Sequence, residues 1–417
     1  MPGNRSVLSK PISISGVVNA LLVFAALFPF VPRLVASSDT QPTFLLTFVV
    51  SLAVAVAAPT VGARLYRISL PGATALLFGT VVIYAWLLVA NATQEEATIP
   101  ARLVSFVQFG AAAVWGYAGK FRWNRTVLYR ALVVYVVFTL VYFATNGAIE
   151  DALIQSRTDG AAFLFASGRG ARTLAPEPSF FALHIFNVFV LSRIAALDDT
   201  QGHRVAFTWF ALIVGCLASS LSAYGVLLLL VVLVATYPRV FATLGVVVVA
   251  SFGAFYSQLL AWDSVRAVKA VLTLIESRGS VTELLVLDAS FSRRIASFVE
   301  YVTAFRDHPF VGNGLSLYQG GGFVSVVAGF GVLGLLFFVA VVGRIVRGQH
   351  DLTTKAVLLT WLLLNFVSGP VGVPLLGVIV GMLFRSRGDT VPGLHPGAGP
   401  SYAPVATARR IGDLATR

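Results

Sequence analysis

The chain has 417 residues, of which 57% are hydrophobic and 12% charged, with 32 Phe and a single Cys. Its mean hydropathy is +0.84, more than a soluble globular chain carries, so composition excludes a water-soluble enzyme and predicts an integral membrane protein. The formal net charge of +12 is accounted for by loop bias and a basic tail and requires no nucleic-acid partner.

Apolar runs recur near the ~20 residues that a helix needs to cross about 30 Å of hydrocarbon. In chain order they predict spans near Gly16–Val35, Thr43–Val61, Gly72–Ala90, Arg102–Gly119, Val127–Thr145 and Ser179–Leu197. They continue with Val205–Ala218, Leu221–Thr236, Val240–Trp262, Gly322–Gly343, Ala356–Val367 and Val373–Phe384. The expected fold class is therefore an all-α polytopic membrane protein of about twelve transmembrane helices, a single integral membrane domain over residues 1–417. Two long apolar runs split into hairpins at Ser219-Ser220-Leu221-Ser222 and at Ser368-Gly369-Pro370. The basic segment Pro2–Lys10 leads into a run that lacks a small-residue cleavage site, so it reads as an anchor and not as a removed signal.

Loop charge gives an independent reading of topology, because Lys and Arg gather on the cytoplasmic side. With the amino terminus inside, the inner loops carry Arg64 and Arg67, then Lys120, Arg122 and Arg125, then Arg193 and Arg204, then Arg239, then Arg344, Arg347 and Lys355. Arg385 and Arg387 follow the last span, so both termini are expected to be cytoplasmic, and residues 388–417 form a Pro/Gly/Ala-rich disordered tail. Two long outer loops, 146–178 and 263–321, depart from the rule by being arginine-rich. The second mixes Arg266, Lys269, Arg278, Arg293, Arg294 and Arg306 with six carboxylates. Its residues Ser290–His308 predict an amphipathic helix, since Ile295, Phe298, Val299, Val302 and Phe305 recur at spacings of three and four.

The stretch Gly170–Ser179 sets Arg172 and Glu177 at the lip of a membrane helix. An ionisable residue at the edge of the bilayer core costs free energy unless it has a partner or a task, which makes it a candidate for function. Blander readings stand beside this one. Arg172 could snorkel, Glu177-Pro178-Ser179 could simply start a helix, and the Gly320–Gly334 stretch could serve helix packing. Ser219, Ser220 and Ser222 read as polar caps of a hairpin, and His184 as a hydrogen-bonding residue within the bundle.

Cys216 lies in a span and the five His are scattered without H-E-x-x-H spacing, so the sequence predicts no disulfide, no metal site and no cofactor.

Three stretches in this order resemble the O-antigen polymerase and O-antigen ligase superfamily of bacterial envelope proteins. They are Arg172 with Glu177-Pro178-Ser179, the serine-rich Ala218–Gly225, and Arg294 followed by His308-Pro309, Gly312-Asn313-Gly314 and Phe330-Gly331 through Gly334. The resemblance implies a metal-independent glycosyltransferase of the bacterial cytoplasmic membrane, with its site facing outward. Its donor would be glycan on undecaprenyl diphosphate, and a chain-length regulator and a flippase are its expected partners besides the lipid bilayer.

On that reading Arg172 and Arg294, with Arg293 and Arg169 beside them, bind the diphosphate. Planar guanidinium forks hold such oxygens bidentately and cannot be deprotonated. Glu177 and His308 are the candidate proton acceptors for the attacking hydroxyl, Glu177 being favoured. The ligase branch carries a His-Asn pair where this chain has Gly320-Gly321, so a polymerase of surface or exopolysaccharide repeat units is preferred over ligase-type transfer to another acceptor. A flippase of lipid-linked glycans is the alternative from another class. Transporters place charge near the midplane in repeated halves, whereas here it lies in the loops.

Overall fold

A computed structural model describes residues 13–32, 34, 41–67, 99–121, 123–154, 170–195, 203–220, 223–237, 289–314, 322–348, 350–367 and 372–385. The expected spans Gly72–Ala90 and Val240–Trp262 and the tail 388–417 lie outside these residues.

The described helices are α1 (Ile14–Leu27), α2 (Thr43–Ala57), α3 (Pro59–Leu65), α4 (Ile99–Ala118), α5 (Arg125–Thr145), α6 (Ala148–Leu153) and α7 (Pro178–Ile194). They continue with α8 (His203–Ser219), α9 (Ala223–Thr236), α10 (Ala289–Asp307), α11 (Gly322–Phe330), α12 (Val332–Arg347), α13 (Leu352–Val367) and α14 (Pro374–Phe384). Among the described residues there is no strand; Tyr66 and Gly119 form one isolated bridge.

Local chemistry sets several ends. The Ser13 hydroxyl accepts from the Gly16 N–H at 3.1 Å to start α1, and the Asn124 side-chain Oδ1 accepts from Val127 N–H at 2.9 Å to start α5. Asn146 (φ 49°) and Gly147 (φ 78°) turn the chain out of α5 through the left-handed region.

Two expected spans are interrupted. The run Thr43–Val61 ends as a helix at Ala57, and Pro59, lacking an N–H, opens the separate α3. The run Gly322–Gly343 is cut at Gly331, whose φ of +58° no continuing helix allows.

Apolar side chains are exposed along one stripe of each of several helices: Val17, Leu21 and Phe24 on α1, Leu46, Val49 and Val50 on α2, Val137 and Leu140 on α5, Leu333, Leu336 and Val339 on α12. Faces of this extent suit lipid better than water. The all-helical fold with many apolar helices is compatible with a helical membrane protein. Among the described residues, Arg125–Thr145 is the helix long and apolar enough to cross a membrane, while the other apolar stretches, Leu103–Ala118 of α4 among them, run 10–17 residues.

By contrast, α7 is buried from Pro178 through Leu191, and α14 is buried at Pro374 through Gly381 and at Leu383. A helix apolar all round belongs in such a centre. The α14 axis lies against α4 with backbone touching backbone. A methyl group on Gly116 would sit 2.9 Å from Val378 Cα, one on Gly377 2.8 Å from Ala112 Cβ, and one on Gly381 2.7 Å from Tyr117 N. Gly377 and Gly381 are four apart, the spacing that lets two membrane helices close on each other where lipid supplies no hydrophobic drive.

Buried hydrogen bonds tie the bundle across helices. Leu27 O at the end of α1 accepts from Tyr135 Oη at 2.7 Å and from His184 Nε2 at 2.8 Å, so His184 does serve the bundle. Trp361 Nε1 donates to Asn187 Oδ1 at 2.7 Å, and Gln108 Nε2 to Gly372 O at 2.9 Å. Each such bond is worth roughly 0.6 kcal/mol in a membrane protein.

The two ends of the bundle differ. At one, cations donate to carbonyls in the last turns of helices: Lys120 to Ala63 O of α3, Arg193 to Ala235 O of α9, Arg344 to Leu383 O of α14, Lys355 to Val346 O of α12. Positive charge is favoured there by the helix dipole. Elsewhere the carboxy-terminal ends of α5 and α8 and the loop before α7 come together around Arg172.

Candidate functional site

The site is built where α5 ends and α7 begins. Leaving α5 through Asn146 and Gly147, the chain forms the short α6, which carries Glu150 and Asp151 in its first turn. The returning loop runs from Gly170 (φ 74°) through Arg172 and Thr173 to Glu177, which precedes Pro178 at the start of α7. Ala171 N–H donates to Ser219 O at 2.9 Å, so this loop hangs from the end of α8, where the Ser219 and Ser220 hydroxyls each donate back to their own helix at 2.8 Å. Two of the three sequence stretches singled out above are thereby brought together. The serines act as caps.

Arg172 is not a snorkelling residue, for its side chain is fully buried (0% exposed). Its Nη2 donates to Asp151 Oδ1, whose side chain is 39% exposed on the rim. The other nitrogens, Nε and Nη1, have no hydrogen-bond partner, and neither do the two carboxylate oxygens of Glu150 nor Thr173 Oγ1, all of them buried. Tyr142 is packed on Ala171 and lies within electrostatic reach of Arg172, Asp151 and Glu150.

Burial pushes the Glu150 carboxyl above its ordinary range. Its own backbone N–H and the Arg172 guanidinium pull it back down, and Asp151 pushes it up further.

Thr173 adopts φ +45°, where a β-branched residue is strained by about 1–3 kcal/mol. Buried polar atoms without partners and strained backbone coincide here within a few residues, a combination that structures retain at functional positions more than elsewhere.

Glu177 is half-buried. Its backbone carbonyl accepts from Phe180 N–H and Phe181 N–H, both at 3.1 Å, while its carboxylate makes no capping bond and accepts only from Ser179 Oγ at 3.4 Å. The carboxylate is thus held loosely at the mouth of α7.

The His308 side chain is exposed. What is fixed is the backbone around it: Gly312 N–H donates to His308 O at 2.9 Å, Asn313 N–H to Ala328 O at 2.9 Å, Gly314 N–H to Gly329 O at 3.0 Å, and Asn313 Nδ2 to Ala304 O at 2.9 Å. The loop after α10 is thereby laid along the break between α11 and α12. A methyl group on Gly331 would meet Pro309 O at 2.6 Å and Gly312 N at 2.8 Å. Gly312, Gly329, Gly331 and Gly334 therefore serve close backbone approach in one joint.

None of the hydrogen bonds or ion pairs of Arg172, Glu177 and His308 joins one of these residues to another. Arg293 and Arg294 fall in the backbone of α10, with their side chains outside the description, and Arg169 lies outside the described residues altogether. Gly320-Gly321 lie outside them too.

The residues that sequence reading missed are Glu150, Asp151, Tyr142 and Thr173. The signal for the first two was present as an adjacent acidic pair inside a long loop noted only for its arginines. Among the described residues no group of three or more His, Cys, Asp or Glu could hold a metal ion.

No known protein family, curated protein or solved structure matches this chain.

Proposed function

We propose that the protein is a polytopic glycosyltransferase that joins oligosaccharide repeat units, carried on undecaprenyl diphosphate, into a surface or exopolysaccharide. In this reading about twelve spans place both termini in the cytoplasm and the Arg172 loop at the outer face of the bacterial cytoplasmic membrane. The observation that carries it is the Arg172 side chain: a fully buried guanidinium with two nitrogens unpartnered, at a helix end. Such a group suits a multiply charged diphosphate, whose charge grows as its bond to the anomeric carbon breaks.

The reaction moves a sugar hydroxyl oxygen onto that anomeric carbon and releases undecaprenyl diphosphate, leaving one proton to be taken up. Glu177 is the proposed acceptor, since its carboxylate is loosely held and free of capping duty. Arg294, Arg293 and Arg169 are proposed as further diphosphate contacts, and His308 as the second proton acceptor. The basic cluster at the other end supports an inward orientation of that end.

The test is the glycan ladder of a deletion strain complemented with wild type, Arg172→Lys or Glu177→Gln at equal membrane abundance. Each variant is expected to leave single repeat units where wild type makes a ladder. A full ladder left on the lipid carrier points instead to ligase-type transfer. A normal ladder from both variants removes the diphosphate role of Arg172 and favours the transport reading.

A further inference from the structure

Arg172 meets two carboxylates of α6 but bonds to only one of them. Asp151 takes Nη2 from the exposed side, while Glu150, fully buried and adjacent in sequence, bonds to neither guanidinium nitrogen nor anything else through its carboxylate. An anion reaching Arg172 from solvent would meet Asp151 first, because Asp151 is the exposed member of the pair. Behind it wait the Nε and Nη1 donors and the Thr173 hydroxyl, all buried and unpartnered. A carboxylate offers two oxygens to a guanidinium, and a diphosphate offers more with greater charge, so the second can replace the first at the same seat.

We propose that Asp151 is a resident counter-anion that occupies the Arg172 seat in the resting protein and is displaced by the diphosphate of the lipid-linked donor. This rests on the diphosphate reading given above. Among the described residues, the groups around the seat are the titratable Tyr142 of α5, Glu150 and Asp151 of α6, and Arg172 itself. Asp151 is a positioning residue in this arrangement: it keeps a buried cation neutralised and its fork aligned until substrate arrives. A structural ion pair alone would predict the opposite response to its removal.

The experiment measures equilibrium binding of undecaprenyl diphosphate, undecaprenyl monophosphate and inorganic pyrophosphate to the purified full-length protein in nanodiscs. It compares wild type, Asp151→Asn and Arg172→Lys. Asp151→Asn keeps the side-chain shape and leaves Glu150 to balance the guanidinium. It is expected to tighten undecaprenyl diphosphate about tenfold, the scale of one charged hydrogen bond no longer competing, while Arg172→Lys loosens it by at least as much.

Equal or weaker binding by Asp151→Asn, with wild type still binding the lipid diphosphate, overturns the displacement and leaves the proposed function standing. Failure of wild type to bind the lipid diphosphate overturns both. Tightening toward pyrophosphate equal to that toward the lipid supports the seat but assigns it to a soluble diphosphate, against the proposed donor. Should the Asn variant not accumulate, hydrogen exchange on wild type decides. Amides of Gly147–Ile154 are expected to exchange faster once undecaprenyl diphosphate is bound, and unchanged exchange overturns the proposal.

Discussion

The Arg172 loop and the His308 joint were both marked by sequence, and they are built on opposite principles. Around Arg172, side chains carry the structure: a buried cation, two carboxylates and a strained Thr173, with several polar atoms unpartnered. Around His308, the backbone carries it, through hydrogen bonds from Gly312, Asn313 and Gly314 and glycines that let two segments touch. The first region tolerates incomplete pairing, which stable interiors avoid; the second is fully knitted and its named side chain points outward. A motif made mainly of glycines thus marks a place where chains meet, while a motif made of charge marks a place where something can bind.

Four substitutions press on that contrast. The strongest removes both counter-charges of Arg172 at once. Glu150→Gln with Asp151→Asn leaves a buried guanidinium with no carboxylate beside it, which is expected to cost ~3–5 kcal/mol and to exceed the sum of the single changes. Thermal midpoints of the two single variants and the double variant in one detergent give the cycle, and strict additivity would show that the carboxylates do not share the charge.

Next in size is a pair of changes within the other region. Gly331→Ala forces a side chain into the left-handed region and against Pro309 O, for an expected loss of about 2–3 kcal/mol. His308→Ala, at an exposed side chain, should stay within about 0.5 kcal/mol. Equal losses in the two variants would mean that the joint depends on the imidazole after all.

The smallest effect is a pH dependence. Burial lifts the Glu150 carboxyl above its unfolded value of 4.5, so on raising the pH the unfolded chain releases this proton first. Wild type therefore loses stability as pH rises from about 4.5 to the higher folded pKa. Glu150→Gln has no proton to release: it should match wild type at pH 4 and exceed it at pH 8. A wild-type advantage at pH 8 would show an ionised Glu150 stabilised by Arg172.

Much of the architecture was legible beforehand. The starts of α2 at Thr43, of α5 near Val127 and of α7 at Ser179 fell within two residues of their observed positions, because the apolar runs begin where the helices do. The periodic apolar residues of α10 revealed that helix equally well. The breaks at Ala58 and Gly331 were missed, since the apolar run continues through both and hydropathy sees only composition, although Pro59 marked the first of them. Arg172 and Glu177 stood out because charge is rare in this chain. Asp151 did not, because its partner lies 21 residues further on and no local pattern joins the two. The α4–α14 contact was hidden for the same reason, although Gly377 and Gly381 announced a close helix crossing.

That crossing bears on how the chain is made. Helix α4 emerges early and finds its main neighbour only when α14, the last described helix, arrives. At ~5–20 residues per second, a gap of about 250 residues means that α4 waits roughly ten seconds or longer. During that interval its Gly116 face has no permanent cover, so ribosomes that stall or truncate before α14 should release a product that the membrane's quality-control proteases can recognise.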